Sequence, residues 1–271
     1  MPNKYALCIG INNYPGTGSD LSGCVNDAND WGDILAQRGF TVQKILDKSA
    51  KRQSMLTAIQ AVIDKAHKGD SVVLQYSGHG SYVPDEDGDE PDGTDECLCP
   101  YDINTKGPIT DDELFDIFSS KEKGVKLVMI SDSCHSGTVA RFAPGILAGP
   151  KEKNAQVRKV KFLPPATFLA PKEINKLGIT RSQRRSSPPG RYGALLMAGC
   201  QDTEYSYDAY FNGRPNGAFS FAALATLKQL KPTATYGEWF KAIRKILPTQ
   251  LYPQTPNLFG SASMKKWKVF A

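Results

Sequence analysis

The chain has three histidines, at positions 67, 79 and 135, so a reaction that needs an imidazole base has three candidates. His79 lies in Ser77-Gly78-His79-Gly80, shortly after the apolar, β-branched run Ser71 to Tyr76. Glycine on either side keeps the backbone slim and lets the ring face a cleft. Cys134 lies in Asp132-Ser133-Cys134-His135-Ser136-Gly137, shortly after the apolar run Val125 to Ile130. A free thiol with a pKa of about 8.5 is only slightly ionised at neutral pH, and an imidazole that takes its proton turns it into a nucleophile. The two therefore read as nucleophile and base of a covalent acyl transfer. His135 adjoins Cys134, but adjacent side chains diverge, and His67 closes a helix near its dipole, so neither is the expected base.

For two groups so distant in sequence to meet, the elements that carry them must be neighbours. Tyr5 to Ile11 reads as a strand buried on both faces, residues 25 to 38 as a helix stopped by Gly39, and Thr41 to Leu46 as a strand. A second helix over 51 to 66 leads to the strand before His79. Thr110 and Glu113 have the spacing of a capping box ahead of Leu114, Phe115, Ile117 and Phe118, and the strand before Cys134 follows. Alternating strands and helices imply an α/β fold with a mostly parallel central sheet and helices on both faces. In such sheets ligands sit beyond the carboxyl ends of the strands, where His79 and Cys134 both fall. Later come a strand at Tyr192 to Gly199, helices near 217 to 230 and 236 to 247, and an amphipathic strand at Met264 to Phe270.

A chain of 271 residues is long enough for one large domain. Its 40% hydrophobic and 23% charged residues argue against disorder and rod-like assemblies. The longest apolar runs fall short of a membrane span, and the N-terminus lacks a secretory pattern, so a cytoplasmic address and no membrane partner are expected. Six cysteines, with Cys97 and Cys99 the only close pair, suit reduced thiols and make structural zinc improbable. The formal charge of +5 is unevenly spread: residues 151 to 191 hold eleven Lys or Arg against two acids, and the rest is net acidic.

Together, Tyr76-Ser77-Gly78-His79-Gly80 and Asp132-Ser133-Cys134-His135-Ser136-Gly137 resemble the two catalytic blocks of metacaspases, and of their bacterial relatives, the orthocaspases. Further blocks extend the likeness: Ile9-Gly10-Ile11-Asn12, Leu21 to Ala28, Ala198 to Asp202 and Asn216 to Phe219. The histidine precedes the cysteine by 55 residues, close to the roughly 50 of caspases, without their Gln-Ala-Cys signature. The resemblance implies a caspase-like fold over 1–271, with a large-subunit-like part at 1–140, a basic linker at 141–191 and a small-subunit-like part at 192–271. It also implies a cysteine endopeptidase that cuts after Arg or Lys. In the family, positions matching Cys24, Asp27, Ser77 and Asp132 form the pocket for the residue before the scissile bond. Two carboxylates and a hydroxyl suit a cation and repel an aspartate. The backbone amides of Gly80 and Cys134 are the expected oxyanion donors, and Tyr205, Tyr207 and the Asn216-Gly217-Ala218 turn are candidates to line the cleft.

No cofactor is expected to be required. Asp85, Asp87, Asp89 and Glu96 echo an EF-hand, but Glu90 stands where glycine is needed, so a solvated acidic loop is expected from Asp85 to Glu96. Calcium-dependent members use another cluster, three of whose carboxylates match Asp95, Asp111 and Asp112; its fourth falls at Arg141, a cation. The basic linker suggests self-cleavage between roughly 151 and 191. Expected partners are peptide substrates with Arg or Lys before the cut bond, no nucleic acid, and a monomeric chain. Two other readings stay open: a catalytically silent caspase-fold scaffold that binds basic peptides, and polyanion binding through the linker.

Overall fold

Six strands form the main sheet, in the order β12-β9-β7-β3-β1-β2. In chain order they are β1 (Lys4–Gly10), β2 (Thr41–Leu46), β3 (Ser71–Ser77), β7 (Lys126–Asp132), β9 (Leu195–Ala198) and β12 (Asn257–Phe259). All neighbours pair in parallel except β12, which runs antiparallel to β9 at one edge. The computed structural model describes residues 2–85, 93–134, 158–178, 193–201 and 204–271. Asp87, Asp89, His135, Arg141 and the Arg-Ser-Pro stretch 181–189 lie outside these residues.

The strands are apolar on both faces because both faces are covered. Leu7, Ile9, Val72, Leu74, Leu127 and Met129 point to one side, where α2 (Arg52–Asp64) and α4 (Asp111–Ser119) contribute Met55, Ile59, Leu114 and Phe118. Ala6, Cys8, Val73, Val128 and Ile130 alternate to the other side, against α1 (Cys24–Gln37) and the helices Ala218–Leu227 and Tyr236–Ile243. That face is closed by Trp31, Trp239 and Phe270, whose rings meet edge-on with centroids 5.6 to 6.5 Å apart. The capping box of α4 forms as expected: Thr110 Oγ1 accepts from the Glu113 amide, and Glu113 accepts from that of Thr110.

Three expectations need correction. Met264 to Phe270 is not a strand: a short helix, Ala262–Lys265, capped by Ser261, precedes a turn with a single bridge between Lys268 and Thr235. The alternation of Trp267, Val269 and Phe270 reflects aromatic packing on the helical layer. The acidic stretch is not wholly a solvated loop, since Thr94–Leu98 forms β5, between β4 (Gly80–Pro84) and β6 (Ile109–Thr110), and Asp95 is buried. The basic linker is not featureless where it is described: β8 (Lys159–Val160) joins β10 (Tyr207–Phe211) and β11 (Arg214–Gly217) in a three-stranded sheet.

Phe118 is buried beneath the sheet. Replacing Phe118 by Ala is expected to lower unfolding free energy by about 3–5 kcal/mol, measured by urea denaturation.

Candidate active site

β3 and β7 are adjacent and in register, with Ser77 opposite Asp132, so His79 and Cys134 emerge side by side from one end of the sheet. Two tyrosines fix the backbone at His79: its N–H donates to Tyr14 Oη (2.8 Å), and its carbonyl accepts from Tyr76 Oη (2.6 Å). The Tyr14 ring lies 4.6 Å from the imidazole, centroid to centroid. Imidazole Nε2 stands 2.6 Å from the Ser19 carbonyl. A carbonyl only accepts, which assigns the proton to Nε2 and leaves Nδ1 with a lone pair. Nδ1 is buried and has no hydrogen-bond partner among the described residues. Burial lowers the His79 pKa to about 4, against the opposing pull of the Ser19 and Lys161 carbonyls. The ring is therefore neutral at neutral pH, the state a base requires.

Beside this pair lies an acidic recess. Asp27, near the start of α1, accepts from the Gly217 amide (3.0 Å to Oδ1, 2.9 Å to Oδ2), Asn216 Nδ2 (2.9 Å) and Ser77 Oγ (2.6 Å). Asp132, the last residue of β7, accepts from Ser206 Oγ (2.7 Å) and the Ser220 amide (2.9 Å). Each carboxylate is thus held by donors from the C-terminal part of the chain.

A lysine from the basic linker fills the recess. Lys161 is fully buried, with its ammonium 2.8 Å from Ser77 Oγ, 3.2 Å from Asp132 Oδ1 and 3.3 Å from Asp27 Oδ2. Burial opposes the charge on Lys161, but Asp132, Cys24, Asp27 and Asp208 outweigh it and hold the ammonium well above its ordinary pKa. Burial raises Asp208 to about 6 and also raises Asp27, each only partly offset by Lys161. Three carboxylates around one ammonium leave an acidic surplus. Gly217 has no room for a side chain, since a Cβ there would strike Asp132 Oδ2 and Lys161 Nζ.

The backbone of Lys161 is as closely held. Its carbonyl accepts from the amides of Gly80 (3.0 Å) and Cys134 (3.2 Å), and its N–H donates to the Ser206 carbonyl (2.9 Å). On its N-terminal side Val160 and Lys159 pair antiparallel with Tyr207 and Asp208. On its C-terminal side Phe162 stacks on Tyr82 at 6.0 Å and meets Tyr205 in a tilted contact at 6.1 Å, and the Leu163 amide donates to the Gly80 carbonyl (3.0 Å). The Cys134 sulfur accepts from the Ser206 amide at 2.7 Å. An extended peptide thus lies across the strand ends, with one carbonyl accepting from two amides, one of them that of Cys134.

The structure gathers Asp27, Ser77, Asp132, Gly80 and Cys134 around Lys161, and His79 adjoins Gly80. Cys24 is buried near the recess, where burial, ahead of the opposing Lys161 charge, raises its thiol. Cys200 packs in one cluster with Cys134, whose thiol, with burial, pushes that of Cys200 up. Asp95 lies in β5, and Asp111 and Asp112 open α4. Among the described residues no three His, Cys, Asp or Glu stand together so as to hold a metal ion. Contributors that the sequence reading does not name are Ser206, Asp208 and Lys161, together with Ser220, Tyr14 and Ser19. The first two are polar residues within the aromatic stretch Tyr205 to Phe211, which was their one signal. Lys161 was one of eleven cations in the linker.

Residues 4–142 match the family described as metacaspase, peptidase C14 domain. The chain is 33% identical to metacaspase-1 of Cryptococcus neoformans over 96% of its own length and 63% of that protein's. A crystallised Geobacter sulfurreducens protein superposes with a TM-score of 0.75 at 31% identity, covering 100% of this chain and 99% of the other. Caspase-1 from Spodoptera frugiperda superposes with a TM-score of 0.60 at 12% identity, over 96% of this chain and 86% of the other, a likeness of fold alone.

Because the folded state holds His79 near pKa 4 and the unfolded chain near 6.5, the stability from the neutral ring is complete above pH 6.5. It is lost as pH falls toward 4. The stability gap between wild type and His79→Ala, measured by denaturant titration, is expected to narrow by about 3 kcal/mol across that window. A constant gap would contradict the assignment.

Proposed function

The chain belongs to the metacaspase family, and on that premise we propose that it is a cysteine endopeptidase that cuts after lysine or arginine, with Cys134 as nucleophile and His79 as base. The observation that supports this most is the seat of Lys161: a cationic side chain neutralised in the acidic recess while its carbonyl rests on two amides. Those contacts are what a bound substrate needs at the residue before the scissile bond.

The steps follow from the groups at hand. His79 Nδ1 takes the thiol proton as the sulfur attacks the carbonyl carbon, and the amides of Gly80 and Cys134 stabilise the oxyanion. Collapse breaks the C–N bond, and the imidazolium returns the proton to the departing amine. Water, deprotonated by His79, then cleaves the thioester to release a carboxylic acid and restore the thiol. Asp27, Asp132 and Ser77 select the cation, with Cys24 and Asp208 behind them. Arginine fits the same chemistry, since its guanidinium pairs readily with carboxylates. The step uses no metal ligand.

The same contacts make the chain its own first substrate. Among the linker residues described, Lys161–Phe162 is the bond presented, and the segment must leave the groove before another peptide enters. The two processing states then differ in access to the recess.

Fluorogenic peptides ending in Lys, Arg or Asp test the reading. Turnover of the Lys and Arg peptides at least 100-fold above the Asp peptide is expected, abolished in Cys134→Ala and in His79→Ala. Binding of basic peptides without turnover would indicate a scaffold. Gly217→Ala, which crowds the recess, is expected to reduce Lys and Arg turnover at least tenfold, mainly through KM.

A further inference from the structure

The linker segment also occupies the groove upstream of Lys161, and its most distal described side chain is engaged. Arg158 lies with its guanidinium carbon 5.3 Å from the centroid of the Tyr207 ring, and Nη1 donates to the Leu251 carbonyl. The Tyr252 ring stands 6.1 Å from that of Tyr207, tilted by 56°. Burial raises both phenols, and the Arg158 charge opposes it at each, so the cation that lies over Tyr207 is near Tyr252 as well.

The pieces that make this place are fixed independently of Arg158. Tyr207 is buried in β10, and its amide donates to Gln254 Oε1 at 3.0 Å. Gln254 is itself fully buried, and its amide group donates to the Gly199 carbonyl (2.8 Å) and Ser206 Oγ (3.2 Å). Within the turn that carries Leu251, the Tyr252 amide donates to Thr249 Oγ1 (2.9 Å), and the Tyr252 carbonyl accepts from the amides of Thr249 (2.9 Å) and Gln254 (2.8 Å). The turn is therefore tied to Ser206, the residue that also receives the Lys161 amide. A face of aromatic rings with one outward carbonyl suits a planar cation that stacks and donates.

We propose that the substrate groove has a second cation-reading subsite, formed by Tyr207, Tyr252 and the Leu251 carbonyl, which selects arginine three residues before the residue in the acidic recess. The proposal rests on the reading of Lys161 as the residue before the scissile bond. Between the two subsites Lys159 extends to the Asp20 carbonyl at 2.8 Å, and Val160 is half-buried against the aromatic cluster. The preferred substrates are accordingly basic segments of the form Arg-Lys-Val-Lys, in which two cations are read at fixed separation. The subsite lies wholly on the C-terminal part of the chain, apart from the β3 and β7 ends that carry His79 and Cys134.

Fluorogenic Arg-Lys-Val-Lys and Ala-Lys-Val-Lys peptides test it, with Arg-Lys-Val-Asp as control. Wild type is expected to favour the first over the second about tenfold in kcat/KM, as loss of a partly desolvated cation–π contact predicts. Tyr207→Leu should erase that preference while keeping discrimination against the Asp peptide, which shows an intact recess; Tyr252→Ala should weaken it. Equal kcat/KM for the Arg and Ala peptides on wild type, with Lys still preferred over Asp, overturns the subsite and spares the first. If no peptide is turned over, that result counts against the peptidase reading. The subsite is then decided by fluorescence anisotropy of the labelled peptides on the double variant Arg158→Ala/Lys161→Ala, whose own side chains no longer fill either subsite. A tenfold tighter grip on the Arg peptide supports the subsite, and equal affinities refute it.

Discussion

A single buried ion cluster organises this end of the molecule. The Lys161 ammonium reaches Asp27, Asp132 and Ser77 directly, and every oxygen of the two carboxylates has a further donor. Removing one partner from a buried pair typically costs about 3–5 kcal/mol, because the remaining charge is stranded. The recess therefore requires a cation once it is closed to water. Asp27 comes from α1, Ser77 from β3, Asp132 from β7, and Asn216, Gly217 and Ser220 from the C-terminal part. One charge thus ties together elements that approach from both ends of the chain.

The rest of the site depends on where that charge places the backbone. With the side chain anchored, the Lys161 carbonyl sits on the amides of Gly80 and Cys134, and its amide meets Ser206. Phe162 and Leu163 hold the other flank through aromatic stacking and a strand-like hydrogen bond to Gly80. Anchoring on both sides of one peptide bond removes the freedom that usually separates a ground-state peptide from an attack geometry. In the neutral His79, held by Ser19 through Nε2, the other nitrogen keeps its lone pair.

Much of this was legible along the chain. The runs before His79 and Cys134, Val72 to Tyr76 and Val125 to Ile130, are apolar apart from Gln75 and Lys126, which marks strands covered on both faces, and these strands stand side by side in the sheet. Thr110 and Glu113 announced α4 through hydrogen-bonding chemistry that is local in sequence. What failed was non-local. A two-residue strand of Lys159 and Val160 has no periodicity to detect, and it exists only because Tyr207 and Asp208 offer an edge. Lys161 looked like one more solvated cation; its burial depends on acids drawn from distant elements. The amphipathic stretch near the C-terminus imitated a strand, whereas its apolar residues Trp267, Val269 and Phe270 cover the helical layer.

If Lys161 lies in the groove as a substrate does, the bond that follows it is the first to be cut. Purified wild-type and Cys134→Ala chains, incubated and then read by intact mass and N-terminal sequencing, test it most directly. A wild-type fragment that begins at Phe162 and is absent from Cys134→Ala is expected. Wild-type chain that stays whole, or is cut only at other basic residues of the linker, would contradict it.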